Sequence, residues 1–198
     1  MTSHSQITGW ANPPRPTELA HRLLEDVLKP GDHVIDATCG NGHDTLFLAR
    51  CVGDAGRVLA FDVQEAAIHS AKQLLQSKGV DARVAFHCES HAYLAQHTAP
   101  ASIAAVMFNL GYLPGADHSI ITRSSETLLA LEAAAHVLRP GGWLCVVCYP
   151  GHEGGDDEAA EVGRWMEALA PVGWRVARYG MLGTRRPAPF LLTAVKPG

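Results

Sequence analysis

Val34-Ile35-Asp36-Ala37-Thr38-Cys39-Gly40-Asn41-Gly42-His43-Asp44-Thr45 carries an apolar run straight into a turn with two glycines, after which a helix can open. Strand, glycine turn and helix form the unit with which an open α/β sheet builds a nucleotide crevice at the carboxyl ends of its strands. Gly40 and Gly42 lack a Cβ, so the backbone there can turn sharply and approach a ligand closely. Asp36, at the strand tip, suits a cationic amino group. A diphosphate would instead favour the G-x-G-x-x-G spacing with no carboxylate beside it, and the third glycine position is Thr45. The segment reads as the turn of a nucleoside cofactor site, with Thr38, Asn41, Asp44 and Thr45 as its other polar candidates.

Outward from this turn, short β-branched runs alternate with longer helical stretches, the pattern of a parallel sheet covered by helices. Strands are predicted at Val34–Ala37, Arg57–Val63, Arg83–Cys88, Ile103–Leu110, Trp143–Tyr149, Trp174–Met181 and Phe190–Lys196. Helices are predicted at Pro16–Leu28, His43–Cys51, Gln64–Lys78, His91–Gln96, Arg123–Leu138 and Asp156–Ala170. In Arg123–Leu138, spacings of three and four put Leu128, Leu131, Ala135 and Leu138 on one apolar face, and Pro140-Gly141-Gly142 stops the helix. The Gly183–Pro189 connection has no room for a helix, so the last two strands should pair antiparallel. The expected fold is a Rossmann-like α/β sheet of seven strands, mostly parallel, closing on an antiparallel hairpin, which is typical of methyltransferases. Residues 1–198 are read as one domain, with Met1–Arg15 as a mobile arm.

The second strand ends at Asp62, 26 residues after Asp36. A carboxylate there accepts hydrogen bonds from both ribose hydroxyls. Gln64 reads as a contact to the adenosine edge or as a plain helix-start residue. Past the third strand, Ser90 and His91 lie where side chains reach an adenine, although Ser90 equally suits an N-cap.

The fourth strand ends in Asn109-Leu110-Gly111-Tyr112. Amino methyltransferases place an Asn/Asp-Pro-Pro-Tyr turn here, which accepts the amine hydrogens so that the nitrogen lone pair faces the methyl group. This chain keeps both ends of that turn, with Leu110 and Gly111 in place of the prolines. After the fifth strand, Tyr149-Pro150-Gly151-His152 lies on the same sheet edge. His152 is a candidate proton acceptor, because an imidazole titrates near neutrality and an aminomethyl cation must lose a proton before it attacks; it equally suits a role in pinning its loop. Asp117 could hold the ammonium form or cap a turn, and Tyr112 and Tyr149 could sandwich a base.

Three stretches, Asp36–Thr45, Asn109–Gly115 and Tyr149–Gly155, resemble the YtqB-like (MnmM-type) family of S-adenosylmethionine-dependent methyltransferases over about residues 16 to 196. The resemblance implies methylation of the aminomethyl group of 5-aminomethyl-2-thiouridine at the tRNA wobble position. It implies S-adenosyl-L-methionine as cofactor and tRNA, through its anticodon region, as partner, with a homodimer left open. Asn109, Tyr112 and His152 would be the catalytic residues, and Leu110, Gly111, Tyr112, Asp117, Tyr149 and His152 would face the substrate. A small-molecule N- or O-methyltransferase, or a methylase of another RNA such as rRNA, stays open beside it.

Composition sets outer bounds. The 198 residues are 47% hydrophobic and 18% charged, with no run of the roughly 20 apolar residues that a membrane span needs. Met1 to Gln6 lacks the order of a secretory signal, so a soluble cytoplasmic protein is expected, and five cysteines without framework spacing read as reduced thiols. A net charge of −4 argues against coating nucleic acid nonspecifically. Arg175, Arg178, Arg185 and Arg186, four of the 16 basic residues, are the candidate basic rim.

Other chemistries find less support. Cys145 and Cys148 sit three apart in a strand, point to opposite faces and cannot converge on a metal. His87-Cys88-Glu89-Ser90-His91 lies at a strand end without a second cluster of ligands, so no metal is expected. A dehydrogenase would need the intact dinucleotide fingerprint, and a noncatalytic RNA-binding protein would not need Asp36 and Asp62 together.

Overall fold

The computed structural model describes residues 12–111, 124–152 and 154–198. Tyr112, Asp117 and the rest of 112–123 lie outside the described residues, as does 1–11. Seven strands form one sheet in the order β3-β2-β1-β4-β5-β7-β6: β1 His33–Asp36, β2 Arg57–Phe61, β3 Val84–His87, β4 Ile103–Leu110, β5 Leu138–Cys148, β6 Arg175–Gly180 and β7 Phe190–Val195. The first five run parallel, and β7 enters antiparallel between β5 and β6, as expected.

Side-chain alternation along the strands feeds two cores. One face packs Val34, Val58, Met107, Cys145 and Val147 under α1 (Pro16–Val27), α2 (His43–Val52) and α3 (Glu65–Ser77). The other packs Ile35, Phe61, Phe108 and Val146 under the 3-10 turn His91–Gln96, α4 (Ser124–Val137) and α5 (Gly155–Leu169). Cys145 and Cys148 fall on these opposite faces, and burial pushes both thiols up to about 12. All five cysteines are unpaired. Among the described residues no helix is long and apolar enough to cross a membrane.

Three expectations change. The buried stripe of α4 is Thr127, Ala130, Leu131, Ala134 and Val137, with Leu128 and Ala135 only partly covered, because the helix packs across both its neighbour α5 and the 3-10 turn. Pro140-Gly141-Gly142 does not separate α4 from a later strand: Leu138 already pairs with Ile103 and begins β5. Lys196 closes this junction, its Nζ donating to the carbonyls of Ala135 and Leu138 at 2.7 Å each, while its backbone exchanges hydrogen bonds with Gly141 and Gly142. Nor is the whole N-terminal arm loose, since Tyr179 Oη donates to Pro14 O at 2.8 Å and Glu18 caps the Arg15 amide at 3.0 Å.

Candidate active site

The strand order reverses between β1 and β4, so their carboxyl ends splay around a crevice. Ala37 N–H donates to Met107 O at 2.9 Å and Asn109 N–H donates to Thr38 Oγ1 at 2.7 Å, which locks the two strand tips together. Asp36 is 1% exposed, with Thr45 Oγ1 donating to one oxygen at 2.5 Å and Thr38 N–H to the other at 3.1 Å. It therefore braces the turn from beneath rather than presenting a free carboxylate at the surface. Gly40 and Gly42 take left-handed backbone, φ +50° and +83°. A Cβ on Gly42 would stand 2.8 Å from Ala71 Cβ, so its missing side chain also serves the packing of α3. Asn41, between them, is exposed.

Asp62 is half-buried, and each oxygen takes one amide at 2.8 Å, Gly40 N–H on one and Gln64 N–H on the other. Each oxygen keeps lone-pair capacity for a further donor, as a ribose diol would need. Gln64 is the N-cap residue of α3, without a side-chain capping bond. Val63 leaves 53% of its surface exposed beside Asp62, an apolar face at the strand tip that motif reading passed over.

Ser90 caps the 3-10 turn, accepting from Ala92 N–H at 3.3 Å and donating to Glu126 Oε2 at 3.0 Å. His91 is 8% exposed and its Nδ1 donates to Ala37 O at 3.0 Å, with burial holding the imidazole below its ordinary value. Both residues thus tie the third strand's loop to its neighbours, the plainer of the two readings for Ser90.

Asp36, Asp44 and Asp62 crowd the glycine turn, and His21 is the one basic side chain that pairs with any of them among the described residues. Burial, then the Asp44 charge, push Asp36 up to about 7. A site of this sign rejects a diphosphate and fits a cofactor that carries a sulfonium and an ammonium, so S-adenosylmethionine suits the residues present. A pH test follows. The folded value of Asp36 lies above the unfolded one, so its protonated form favours folding, and that contribution is lost as pH rises towards and through 7. Relative to Asp36→Asn, the ligand-free protein should lose up to about 1.4 kcal/mol per pH unit between about pH 5 and 7. Denaturant unfolding of both proteins across that range checks it, and parallel curves would return Asp36 to an ordinary acid.

Asn109 sits at the tip of β4, where its Nδ2 donates to Asp44 Oδ2. That bond fixes the amide's orientation and turns Oδ1 towards Tyr149, whose hydroxyl donates to it at 3.4 Å. Asp44 is held from behind by His21 Nε2 at 2.6 Å, and the His21 ring stacks on Phe47 at 4.0 Å. Thr17 Oγ1 meets the Tyr149 hydroxyl at 3.2 Å. Motif reading missed Thr17 and His21, which belong to α1. The signal available was their spacing of four along the helix, flanking the buried stripe of Pro16, Ala20 and Leu24.

Leu110 is 2% exposed, so it offers the site backbone and no side chain; its carbonyl accepts the Tyr149 amide at 3.1 Å. A Cβ on Gly111 would stand 3.1 Å from the Tyr149 ring, which explains the small residue there. His152 lies on the loop after β5 with its ring over Gly155, whose added Cβ would meet Cε1 at 2.4 Å. Buried Glu158, also unforeseen, accepts from Thr127 Oγ1 at 2.7 Å; burial raises its carboxyl, and the Thr127 bond and then His152 oppose that rise.

The basic rim divides. Gly180 pairs with Phe190, which also pairs with Cys148, so the β6–β7 connection carrying Arg185 and Arg186 lies on the Asn109 edge, with Pro187 against Gly151. Arg175 pairs with Val195 at the other end of the strand, and Arg178 covers the Phe190 ring at 3.9 Å. Arg185 and Arg186 are exposed.

Comparison with known proteins places the chain in a family. A family described as "Putative rRNA methylase" matches residues 58–195. The chloroplastic tRNA (mnm(5)s(2)U34)-methyltransferase of Arabidopsis thaliana is 41% identical over 190 residues, 91% of this chain and 69% of that protein. A Clostridium thermocellum structure of the same rRNA-methylase description superposes with a TM-score of 0.90 at 36% identity, covering 93% of this chain and 99% of that one. A Streptococcus mutans structure described as a "putative methyltransferase", in complex with SAH, gives 0.84 at 34% identity with the same coverage.

Proposed function

Since the chain belongs to this rRNA-methylase family of S-adenosylmethionine-dependent methyltransferases, we propose that it methylates the aminomethyl nitrogen of a modified wobble uridine in tRNA. The observation that carries the reading is the fixed Asn109 amide, its Nδ2 tied to Asp44 and its Oδ1 accepting the long Tyr149 hydroxyl bond with a second lone pair to accept a further hydrogen on the crevice edge. The activity named for the Arabidopsis relative supports the same acceptor.

When bound, S-adenosylmethionine supplies an electrophilic methyl group. Asp62 would hold the ribose hydroxyls, while Asp36, Thr38 and Thr45 hold the glycine turn in shape and Gly40, Asn41 and Gln64 line it. Asn109 Oδ1 accepts a hydrogen of the substrate amine, which aims the nitrogen lone pair away from that bond and towards the reacting carbon. Asp44, with His21 behind it, keeps the amide from flipping. Tyr149 flanks the nucleoside; the roles of Tyr112 and Asp117, outside the described residues, rest on the family resemblance alone. His152, on the same edge, takes the proton that the amine must lose. Arg185 and Arg186 meet the tRNA backbone. We take residues 1–198 as one catalytic domain, working in the cytoplasm.

The test is methyl transfer from labelled cofactor to tRNA that carries the free aminomethyl group, with nucleosides resolved by mass spectrometry. Label should appear in the methylaminomethyl nucleoside. Arg185→Glu with Arg186→Glu should weaken tRNA binding and reduce the slope of log affinity against log salt by about 2 if each arginine meets one phosphate. Label confined to small amines, or to rRNA, would overturn the tRNA reading.

A further inference from the structure

The fold completes a ligand set that strand-end residues alone left unfinished. His87, at the end of β3, and Glu89, two residues on, meet His97, which follows the 3-10 turn His91–Gln96. The turn folds back over the strand end, so His97 Nε2 stands 2.9 Å and His87 Nδ1 3.6 Å from Glu89 Oε1, and one ligand atom from each residue lies within 4.8 Å of the others. We propose that His87, Glu89 and His97 form a binding site for a divalent transition-metal ion of the Zn²⁺ class, separate from the methyl-transfer centre.

Two imidazoles and one carboxylate are a donor set that Zn²⁺ uses, each ligand atom standing about 2.0–2.2 Å from the ion, and the three side chains are already gathered closely enough for small rotations to enclose one. Borderline nitrogen donors favour Zn²⁺, Co²⁺ or Ni²⁺ over Mg²⁺ or Ca²⁺. The rings are held by packing: His87 stacks on Phe61 at 4.7 Å, His97 meets the same ring edge-on at 5.5 Å, and the two imidazoles lie 4.0 Å apart. Stacking thus fixes the orientation that a hydrogen-bond acceptor more often provides, since His87 Nε2 is buried without a partner. Side-chain exposures of 19%, 35% and 27% leave an open side from which an ion can enter and keep water as a further ligand. Glu89 is followed by Ser90 and His91, which tie the loop to α4 and to the end of β1, so an ion here would brace one wall of the crevice.

The test is titration of the chelator-treated full chain with Co²⁺, read by visible absorption, and with Zn²⁺, read by calorimetry. One equivalent should bind and raise the melting temperature. His97→Ala and Glu89→Gln should each weaken that binding at least about tenfold and remove the thermal shift. Cys88→Ser and His69→Ala, outside the set, should change neither. Glu89→Gln keeps shape and hydrogen-bonding capacity, so it reports on the ligand charge even if His97→Ala perturbs the loop. Absence of a stoichiometric Zn²⁺ site, or binding that survives both ligand variants, would overturn the proposal.

Discussion

Asn109→Ala should lower the rate of methyl transfer by about 100-fold or more while leaving the dissociation constant of S-adenosylmethionine within a few-fold of the parent value. Misplacing a reacting group by about 1 Å is enough to cost that much rate, because alignment of the nitrogen lone pair matters chiefly in the transition state. Cofactor affinity should persist, since the carboxylate of Asp62 and the turn above Asp36 do not depend on the Asn109 side chain. The backbone bond from Asn109 to Thr38 also survives the substitution. His21→Ala should give a smaller rate loss of the same kind, because it loosens Asp44 without removing the acceptor. Single-turnover rates and calorimetry separate the two quantities. A normal rate for Asn109→Ala would remove this residue from the reaction, and a parallel collapse of cofactor binding would make it a cofactor ligand instead.

Asp62→Ala should produce the largest loss of cofactor affinity, about 100-fold or more. Two hydrogen bonds from ribose hydroxyls to a carboxylate are worth about 1.5–3 kcal/mol each, and the lower end of that range for both already gives the factor. The amides of Gly40 and Gln64 lose their acceptor as well, so the turn itself should loosen. Asp62→Asn, which keeps one acceptor oxygen, should fall between. Calorimetric titration with SAH decides this, and an unchanged dissociation constant would place the ribose elsewhere.

Element boundaries were legible because they rest on local chemistry. Ile103–Leu110 carries its own apolar run, and Pro16 at the first turn with Glu18 behind it sets the start of α1. The beginning of β5 was not legible. Pro140-Gly141-Gly142 looks like a break, yet the chain there is held by hydrogen bonds to Lys196, more than fifty residues on, and no local rule anticipates a partner that distant. Gly42 shows the same limit within a motif: its spacing suggested access for a ligand, and the motif gave no sign that Ala71 on another helix also requires its missing side chain.

By itself the sequence determined the α/β class, the crevice at the strand ends, and Asp36, Asp62 and Asn109 as the polar residues at the strand tips, because strand-end position follows from alternation and turn residues. Only the tertiary structure decided what each of them does there. It buried Asp36 beneath the turn, left Asp62 half-open, oriented Asn109 through Asp44 and His21, set Arg185 and Arg186 on the Asn109 edge with Arg175 at the far end of β6, and folded His97 onto His87 and Glu89. Burial and hydrogen-bond pairing between distant segments are properties of packing, and they set the charge state and direction of a side chain that residue type alone leaves free.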